Sequence, residues 1–280
     1  MATLTGAVQL ALLDSYTPVS GETKTSITSS GITIYTVDDH AIDNTGGVTK
    51  YEFIDNFVTG ADYSVISGDV HRVFLNDAEG TSIITGNGDT YIYATQGDNK
   101  VIVGGGQNII NTGAGNDAVR AGNGSNAIDT GAGNDFITVG NGNNTIGTGD
   151  GVDVVRVGNG QNNINTGAGN DAVQAGNGNN TINTGAGNDV ITVGNGNNLI
   201  NGGAGDDTIH LKTGSGINTI EVGSGAGSDI VTGYEAGDKV TATAIPVTLD
   251  TNGNAVVTFE DGSKVTLIGV HDVNDVNFIS

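Results

Sequence analysis

The chain has 280 residues, with 48 glycines, two prolines and no cysteine, and its 31 acidic residues against nine Lys and Arg leave a net charge of −22. That charge excludes a nucleic-acid partner, which needs clustered Lys and Arg for phosphates, and the lack of cysteine excludes a disulfide framework. Glycine this abundant would signal disorder if it had no period, but here it recurs in phase with one apolar position, and a folded repeat is expected.

The N-terminus, MATLTGAVQLALLDS, has no Lys or Arg and only a short apolar run broken by Gln9, which makes a poor secretory leader. No apolar run reaches the length of a membrane span. The chain is therefore expected to be cytosolic or to leave by a route without a cleaved N-terminal signal. Residues 1–84 read as a β-rich cap or assembly segment. Thr, Val, Ile and Tyr cluster between turn residues at Ile27–Thr28, Gly31–Val37, Thr49–Phe53 and Ser64–Ser67, which predicts short strands. A polar arm before Pro18 either hangs loose or pairs with something. His71–Leu75 and Ser82–Thr85 then lead into the next block, whose first open strand edge needs a cover.

From Thr85 to His210 the chain repeats every nine residues, fourteen times without a break. One kind of copy reads TGAGND, as from Thr112, Thr130, Thr166 and Thr184, and the alternate kind carries Asn in place of the Asp, as in AGNGSN from Ala121 and VGNGNN from Val139. Six residues so rich in Gly and Asn suit a tight turn. The next three suit a short strand whose middle residue points inward: Val119, Ile128, Ile137, Ile146, Val155, Ile164, Val173, Ile182, Ile191, Ile200 and Ile209. Two nonapeptides close one coil around two aliphatic rows. The outward positions are Arg120, Thr138, Arg156, Gln174, Thr192 and His210 on one face, and Asp129, Gly147, Asn165, Asn183 and Asn201 on the other. Thr130, Thr148, Thr166 and Thr184 are expected to flank the second face.

This pattern resembles the repeats-in-toxin family of calcium-binding nonapeptides, Gly-Gly-x-Gly-x-Asp-x-aliphatic-x, which are exported by type I secretion systems. The resemblance implies an all-β fold, a right-handed parallel β-roll over residues 85–232 with 18 residues per coil. The chain departs from the family in carrying the aspartate only in alternate copies.

After His210 the phase slips by two residues at Leu211–Lys212 and again at Val222–Gly223, before a last aspartate at Asp229. Residues 233–280 are expected to form a β-rich cap carrying a secretion signal. Asn254–Glu260 and Lys264–Val270, joined through Asp261–Gly262, give the strongest hairpin signal in the chain. The tail DVNDVNFIS, ending in Phe278–Ile279, is similar to uncleaved type I secretion signals.

Copies eighteen residues apart stack on one edge of the roll. One edge is then an aspartate column, Asp117, Asp135, Asp153, Asp171, Asp189 and Asp207, with Asp229 after the slip. The other is an asparagine column, Asn108, Asn126, Asn144, Asn162, Asn180 and Asn198. Carboxylates stacked about 5 Å apart repel by about 1 kcal/mol per pair even in water, so a cation is expected between each pair. Two carboxylates and the turn carbonyls make a hard, all-oxygen cage that suits Ca²⁺. The family's ligand pattern implies Gly113, Gly115 and Asp117 with Thr130, Gly131, Ala132, Gly133 and Asp135. It then recurs through Thr148, Gly149, Asp150, Gly151 and Asp153, and through Thr166, Gly167, Ala168, Gly169 and Asp171. Next come Thr184, Gly185, Ala186, Gly187 and Asp189, then Gly202, Gly203, Ala204, Gly205 and Asp207, and finally Ser224, Ala226 and Asp229. Five to six Ca²⁺ are expected, the sixth between Asp207 and Asp229; Asn99 with Asp117 is a further position. The asparagine edge is expected to be a metal-free hydrogen-bonded ladder.

Catalysis finds no support: His40, His71, His210 and His271 are scattered, and neither an HExxH nor a Gly-x-Ser-x-Gly motif occurs. The expected function is a secreted, calcium-binding structural protein at the cell surface or beyond. It would fold on extracellular Ca²⁺ and assemble with itself into a layer, filament or matrix, and the type I secretion apparatus would be its partner during export. The alternative is a monomeric adhesin-like or ice-binding solenoid.

Overall fold

The structure is a computed structural model that describes residues 2–4, 23–29, 32–38, 70–75, 80, 82–94, 96–214, 216–222, 225–241 and 246–279. It is an all-β parallel β-solenoid. Two compact units divide it, Met1–Ala132 and Gly133–Ser280.

The first unit holds β1 (Ala2–Leu4), β2 (Thr23–Ser29), β3 (Ile32–Asp38), β4 (Val70–Leu75), β5 (Ser82–Ile84), β6 (Asp89–Ala94), β7 (Lys100–Val103), β8 (Ile109–Asn111), β9 (Ala118–Ala121) and β10 (Ala127–Asp129). β2 and β3 form an antiparallel pair, and β1 adds to the other edge of β3, with Ala2 opposite Val37. The N-terminal arm thus begins with residues paired inside the chain. The expected strands at Thr49–Phe53 and Ser64–Ser67 lie outside the described residues. β4, β6, β8 and β10 pair in parallel, as do β5, β7 and β9.

The second unit holds β11 (Phe136–Val139), β12 (Thr145–Gly147), β13 (Val154–Val157), β14 (Asn163–Asn165), β15 (Ala172–Ala175), β16 (Thr181–Asn183), β17 (Val190–Val193), β18 (Leu199–Asn201), β19 (Thr208–His210), β20 (Thr219–Glu221), β21 (Ser228–Thr232), β22 (Lys239–Thr241), β23 (Val247–Leu249), β24 (Ala255–Thr258), β25 (Lys264–Ile268) and β26 (Asn277–Ile279). Its even strands from β12 to β22 form one parallel sheet, and its odd strands from β11 to β21 form another. Partners in the regular coils are 18 residues apart, as in Val154 opposite Ala172. This is the register the nonapeptide period demands.

Two inward rows form the core. Ile146, Ile164, Ile182, Ile200 and Ile220 line one sheet, and Ile137, Val155, Val173, Ile191, Ile209 and Val231 the other, all at most 2 % exposed. Each such side chain contributes about 1.5–3 kcal/mol by leaving water. Position one of the repeat is also buried, since the strand alternation carried past position nine points it inward again. On the asparagine copies it is Val139, Val157, Ala175 and Val193, and on the aspartate copies it is Thr148, Thr166 and Thr184. Thr130 is likewise buried in the first unit. These threonines therefore do not flank an exposed face. In the second unit the hydroxyls bond along the stack instead, Thr148 Oγ1 donating to the Thr166 carbonyl at 3.1 Å and Thr166 Oγ1 to that of Thr184 at 3.1 Å. The flat threonine array that an ice-binding face would need is absent at these positions.

The two phase slips are absorbed in the loops. β20 pairs with β18 at Thr219 opposite Leu199, and β21 with β19 at Ile230 opposite Thr208, so the strand stack resumes in register. β24 and β25 form the expected hairpin, with Thr258 opposite Lys264, and β25 continues the sheet beside β21. The tail is a strand: β26 pairs in parallel with β22, Phe278 opposite Val240. No helix among the described residues is long and apolar enough to cross a membrane.

Candidate metal centre

Each aspartate loop is forced by its glycines. Gly169 has φ +148, and a Cβ there would lie 1.5 Å from the Gly151 carbonyl oxygen of the neighbouring coil. Only glycine lets the turns stack this closely. The aspartate two residues later is then carried to the same place in every coil and turned inward. Asp135, Asp153, Asp171, Asp189 and Asp207 are all at most 2 % exposed, and Asp229 is 5 % exposed.

Within the second unit these carboxyls form one continuous ladder. The backbone N–H of Asp135 donates to Oδ1 of Asp153 at 2.8 Å, that of Asp153 to Asp171 at 2.8 Å, and that of Asp171 to Asp189 at 2.7 Å. Asp189 donates to Asp207 at 2.9 Å and Asp207 to Asp229 at 3.0 Å. The last bond spans the slipped loop, so Asp229 joins the column. Oδ1 is thereby satisfied at each step. Oδ2 of Asp153, Asp171, Asp189 and Asp207 is buried with no hydrogen-bond partner. A buried carboxylate oxygen without a donor is costly, about 1–3 kcal/mol or more for a charged group.

The electrostatics say the same. Burial pushes the Asp153 carboxyl up to about 6, and those of Asp207 and Asp229 up to about 7, while neighbouring aspartates add to the rise. Burial also raises Asp189. For Asp153 the nearby Thr148 hydroxyl and the Asp135 N–H oppose this without cancelling it; the hydroxyl proton is directed to the Thr166 carbonyl. At neutral pH the buried carboxyls of Asp153, Asp189, Asp207 and Asp229 therefore call for a counter-charge.

The residues implied as ligands surround this column. The carbonyls of Gly149, Gly167 and Gly185 accept from the N–H of Ala168, Ala186 and Ala204, and those of Asp150, Ala168, Ala186 and Ala204 accept from the N–H of Gly133, Gly151, Gly169 and Gly187. Each carbonyl keeps a second lone pair. The Thr166, Thr184 and Gly202 carbonyls each accept a hydroxyl from the coil before. Gly203 and Gly205 have φ +97 and +128, as the aspartate loops require. Ala226 is buried, and Ser224 lies outside the described residues. In the first unit, Gly113 and Gly115 pair with Ala132 through backbone bonds of 3.2 and 2.8 Å beside buried Thr130, with Gly131 at φ +87, and Asp117 Oδ1 accepts the Asn99 N–H at 2.7 Å. Asp117 belongs to the first unit and Asp135 to the second.

Among the described residues no three carboxylate, imidazole or thiol side chains converge. A cation on the aspartate edge would therefore take two carboxylates and complete its shell with carbonyls. Such an all-oxygen donor set, with orphaned anionic oxygens at its centre, fits Ca²⁺. When bound, that ion would supply the missing counter-charge. Asp135, Asp153, Asp171, Asp189, Asp207 and Asp229 would hold it.

The other edge is the expected asparagine ladder. In the first unit Asn108 Nδ2 donates to Asn126 Oδ1 at 2.7 Å. In the second, Asn144 donates to Asn162 at 2.8 Å, Asn162 to Asn180 at 2.8 Å, Asn180 to Asn198 at 2.9 Å and Asn198 to Asn218 at 2.8 Å. Sequence reasoning missed how this column ends. Asn218 donates to buried Asp238, from its N–H at 2.7 Å and from Nδ2 at 3.1 Å, and Asp238 Oδ2 accepts the Glu235 N–H at 3.0 Å. The Gly237–Asp238 pair in YEAGDK, placed after the phase slip, was the available signal.

A family model described as the RTX calcium-binding nonapeptide repeat matches residues 84–119, 112–146, 120–155, 147–182, 156–191, 174–209 and 183–220 in overlapping copies. The crystal structure of the extracellular lipase LipA from Serratia marcescens is similar at 21% identity and a TM-score of 0.25, over 55% of this chain and 40% of that one. The chain thus matches less than half the length of that lipase. No curated protein matches the chain.

Proposed function

Through residues 84–220 the chain belongs to the RTX calcium-binding nonapeptide repeat family, and from that premise we propose that it is a secreted structural protein that folds on meeting extracellular calcium and assembles with itself. The observation that carries the first half is the file of buried, donorless Oδ2 atoms at Asp153, Asp171, Asp189 and Asp207. Where calcium is scarce, as inside a cell, these carboxylates repel and the coils stay open, which suits passage of an unfolded chain through a type I secretion apparatus. Where calcium is abundant, the energy of metal binding becomes folding energy. Residues 85–232 would be the calcium-binding roll, flanked by segments 1–84 and 233–280.

Assembly draws support from the outer face of the odd-numbered strands in the second unit. Phe136, Val190, Ile230 and Ile268 are exposed there, beside Arg156, which stacks over Phe136 at 5.2 Å, and Lys264. None of the outward residues of these strands from β11 to β21, or of β25, is acidic in a chain of net charge −22. Such a face suits contact with an acidic surface of another copy in a layer, filament or matrix. No catalytic role is proposed. Circular dichroism with light scattering across a Ca²⁺ titration tests the whole reading. β-structure and particle size should both rise with calcium. β-structure unchanged by chelation refutes the folding claim, and a monomer at high calcium refutes assembly and leaves the monomeric adhesin-like solenoid.

A further inference from the structure

We infer that a carboxamide nitrogen stands in for the cation wherever asparagine holds position six, so that Asn99 closes the head of the aspartate column and the asparagine edge takes up no calcium. The inference rests on the calcium reading of the aspartate edge.

Asn99 sits in the aspartate column, eighteen residues before Asp117. Its Nδ2 faces the Gly97 carbonyl at 2.7 Å, the Thr112 carbonyl at 3.1 Å and Asp117 Oδ1 at 3.1 Å, with the Gln96 carbonyl at 3.5 Å. Those oxygens come from position four of its own loop, position one of the next loop and the next carboxylate. They are the oxygen types a cation between two aspartates would use. Here a nitrogen bearing two polarised hydrogens fills the centre of the set.

The asparagine edge builds a related set, with the position-two carbonyl of the same loop in place of the position-one carbonyl of the next. Asn180 Nδ2 meets the Gly176 carbonyl at 3.2 Å, the Gly178 carbonyl at 3.1 Å and Asn198 Oδ1 at 2.9 Å. Asn162 and Asn198 do the same with Gly158 and Gly160, and with Gly194 and Gly196. Both edges also share the bond from backbone N–H to the next Oδ1, at 2.7 Å for Asp171 and 3.1 Å for Asn180. At position six the edges differ in one atom per residue, oxygen in aspartate and nitrogen in asparagine. With oxygen there, acceptors face acceptors and an ion is needed; with nitrogen there, a donor faces acceptors and the cage is closed. The asparagine column ends on Asp238, whose two oxygens both accept N–H donors.

The test uses the full chain and Ca²⁺ alone, with bound ions counted by equilibrium dialysis and thermal unfolding followed with and without chelator. Asn99→Asp should bind one more ion than the parent, and Asn99→Ala should not. Asn180→Asp should unfold at lower temperature than the parent in sub-saturating calcium and recover in excess calcium. An Asn99→Asp chain with an unchanged ion count overturns the inference; if that variant does not fold, the calcium-dependence of Asn180→Asp decides, and no change there overturns it. A parent that binds no calcium overturns the underlying metal reading instead.

Discussion

Within the second unit the two edges of the roll are built alike: six-residue loops, eighteen-residue spacing between stacked partners, a buried position-six side chain, and a backbone N–H bonded to the next coil's Oδ1. They differ in whether the remaining polar atom can donate. On the asparagine edge it does, and every coil is tied to the next by a side-chain bond of 2.8–2.9 Å. On the aspartate edge the same place holds an oxygen with no donor. The comparison places the demand for a counter-charge at position six and not in the strand stack, and teaches that a chain can set it along one side only.

The largest effect should come from erasing the difference. Replacing Asp153, Asp171, Asp189 and Asp207 together by Asn should give a chain whose β-structure survives a chelator concentration that unfolds the parent, as seen by circular dichroism. Loss of structure in that variant even in excess calcium would sink the idea that the two edges are equivalent scaffolds.

The next effect probes what the edges share. Ile191→Ala follows an aspartate loop and Ile182→Ala an asparagine loop, and both side chains are buried. Each substitution should cost about 2–5 kcal/mol in calcium, with the two agreeing to about 1 kcal/mol in denaturant titrations. A large gap between them would mean that the rows are not one core.

Acid should separate the edges again. Burial raises the carboxyls of Asp153, Asp189, Asp207 and Asp229 above the ordinary aspartate value. A folded-state pKa raised above the unfolded one means that the folded chain holds its protons longer. Stability without calcium is then greatest below about pH 4 in this respect and falls as pH rises through 6 to 7. Calcium-free protein should thus keep more β-structure at pH 5 than at pH 8, and the four-Asn variant should lose most of that slope. A calcium-free parent more stable at pH 8 would contradict the assignment.

The smallest effect concerns the outer rim of the aspartate loops, where position five runs a second ladder in the opposite sense. Asn134 Oδ1 accepts the Val152 N–H at 2.7 Å, and Asn170 Oδ1 accepts that of Asn188 at 2.7 Å. Val152, 54 % exposed, has no acceptor for the coil after it. Val152→Asn should restore the missing clamp and add about 0.5–1.5 kcal/mol, read as a small rise in melting temperature in calcium.

The rows of Ile and Val, the strand spacing and both position-six columns were legible in the sequence, because a strict period leaves one register that buries every aliphatic residue. Thr148, Thr166 and Thr184 were placed outward because the strand alternation was stopped at position nine, whereas one more step of the same period points position one inward beside position eight. There the hydroxyl meets the carbonyl of the next coil. The phase slips hid the fate of Asp229 and Asp238, since an insertion can either break a stack or bulge from it. Only the paired strands on both sides show that it bulges. Phe278–Ile279, read as a signal, is also a strand edge, and short tails carry too little pattern to tell those roles apart.

The most direct test of the central claim is an anomalous difference map from crystals of the full chain grown in calcium. The expected result is one peak between each successive pair from Asp135 to Asp229 and none along Asn144, Asn162, Asn180 and Asn198. Peaks of equal height on both edges, or no peak beside the aspartate Oδ2 atoms, would contradict it.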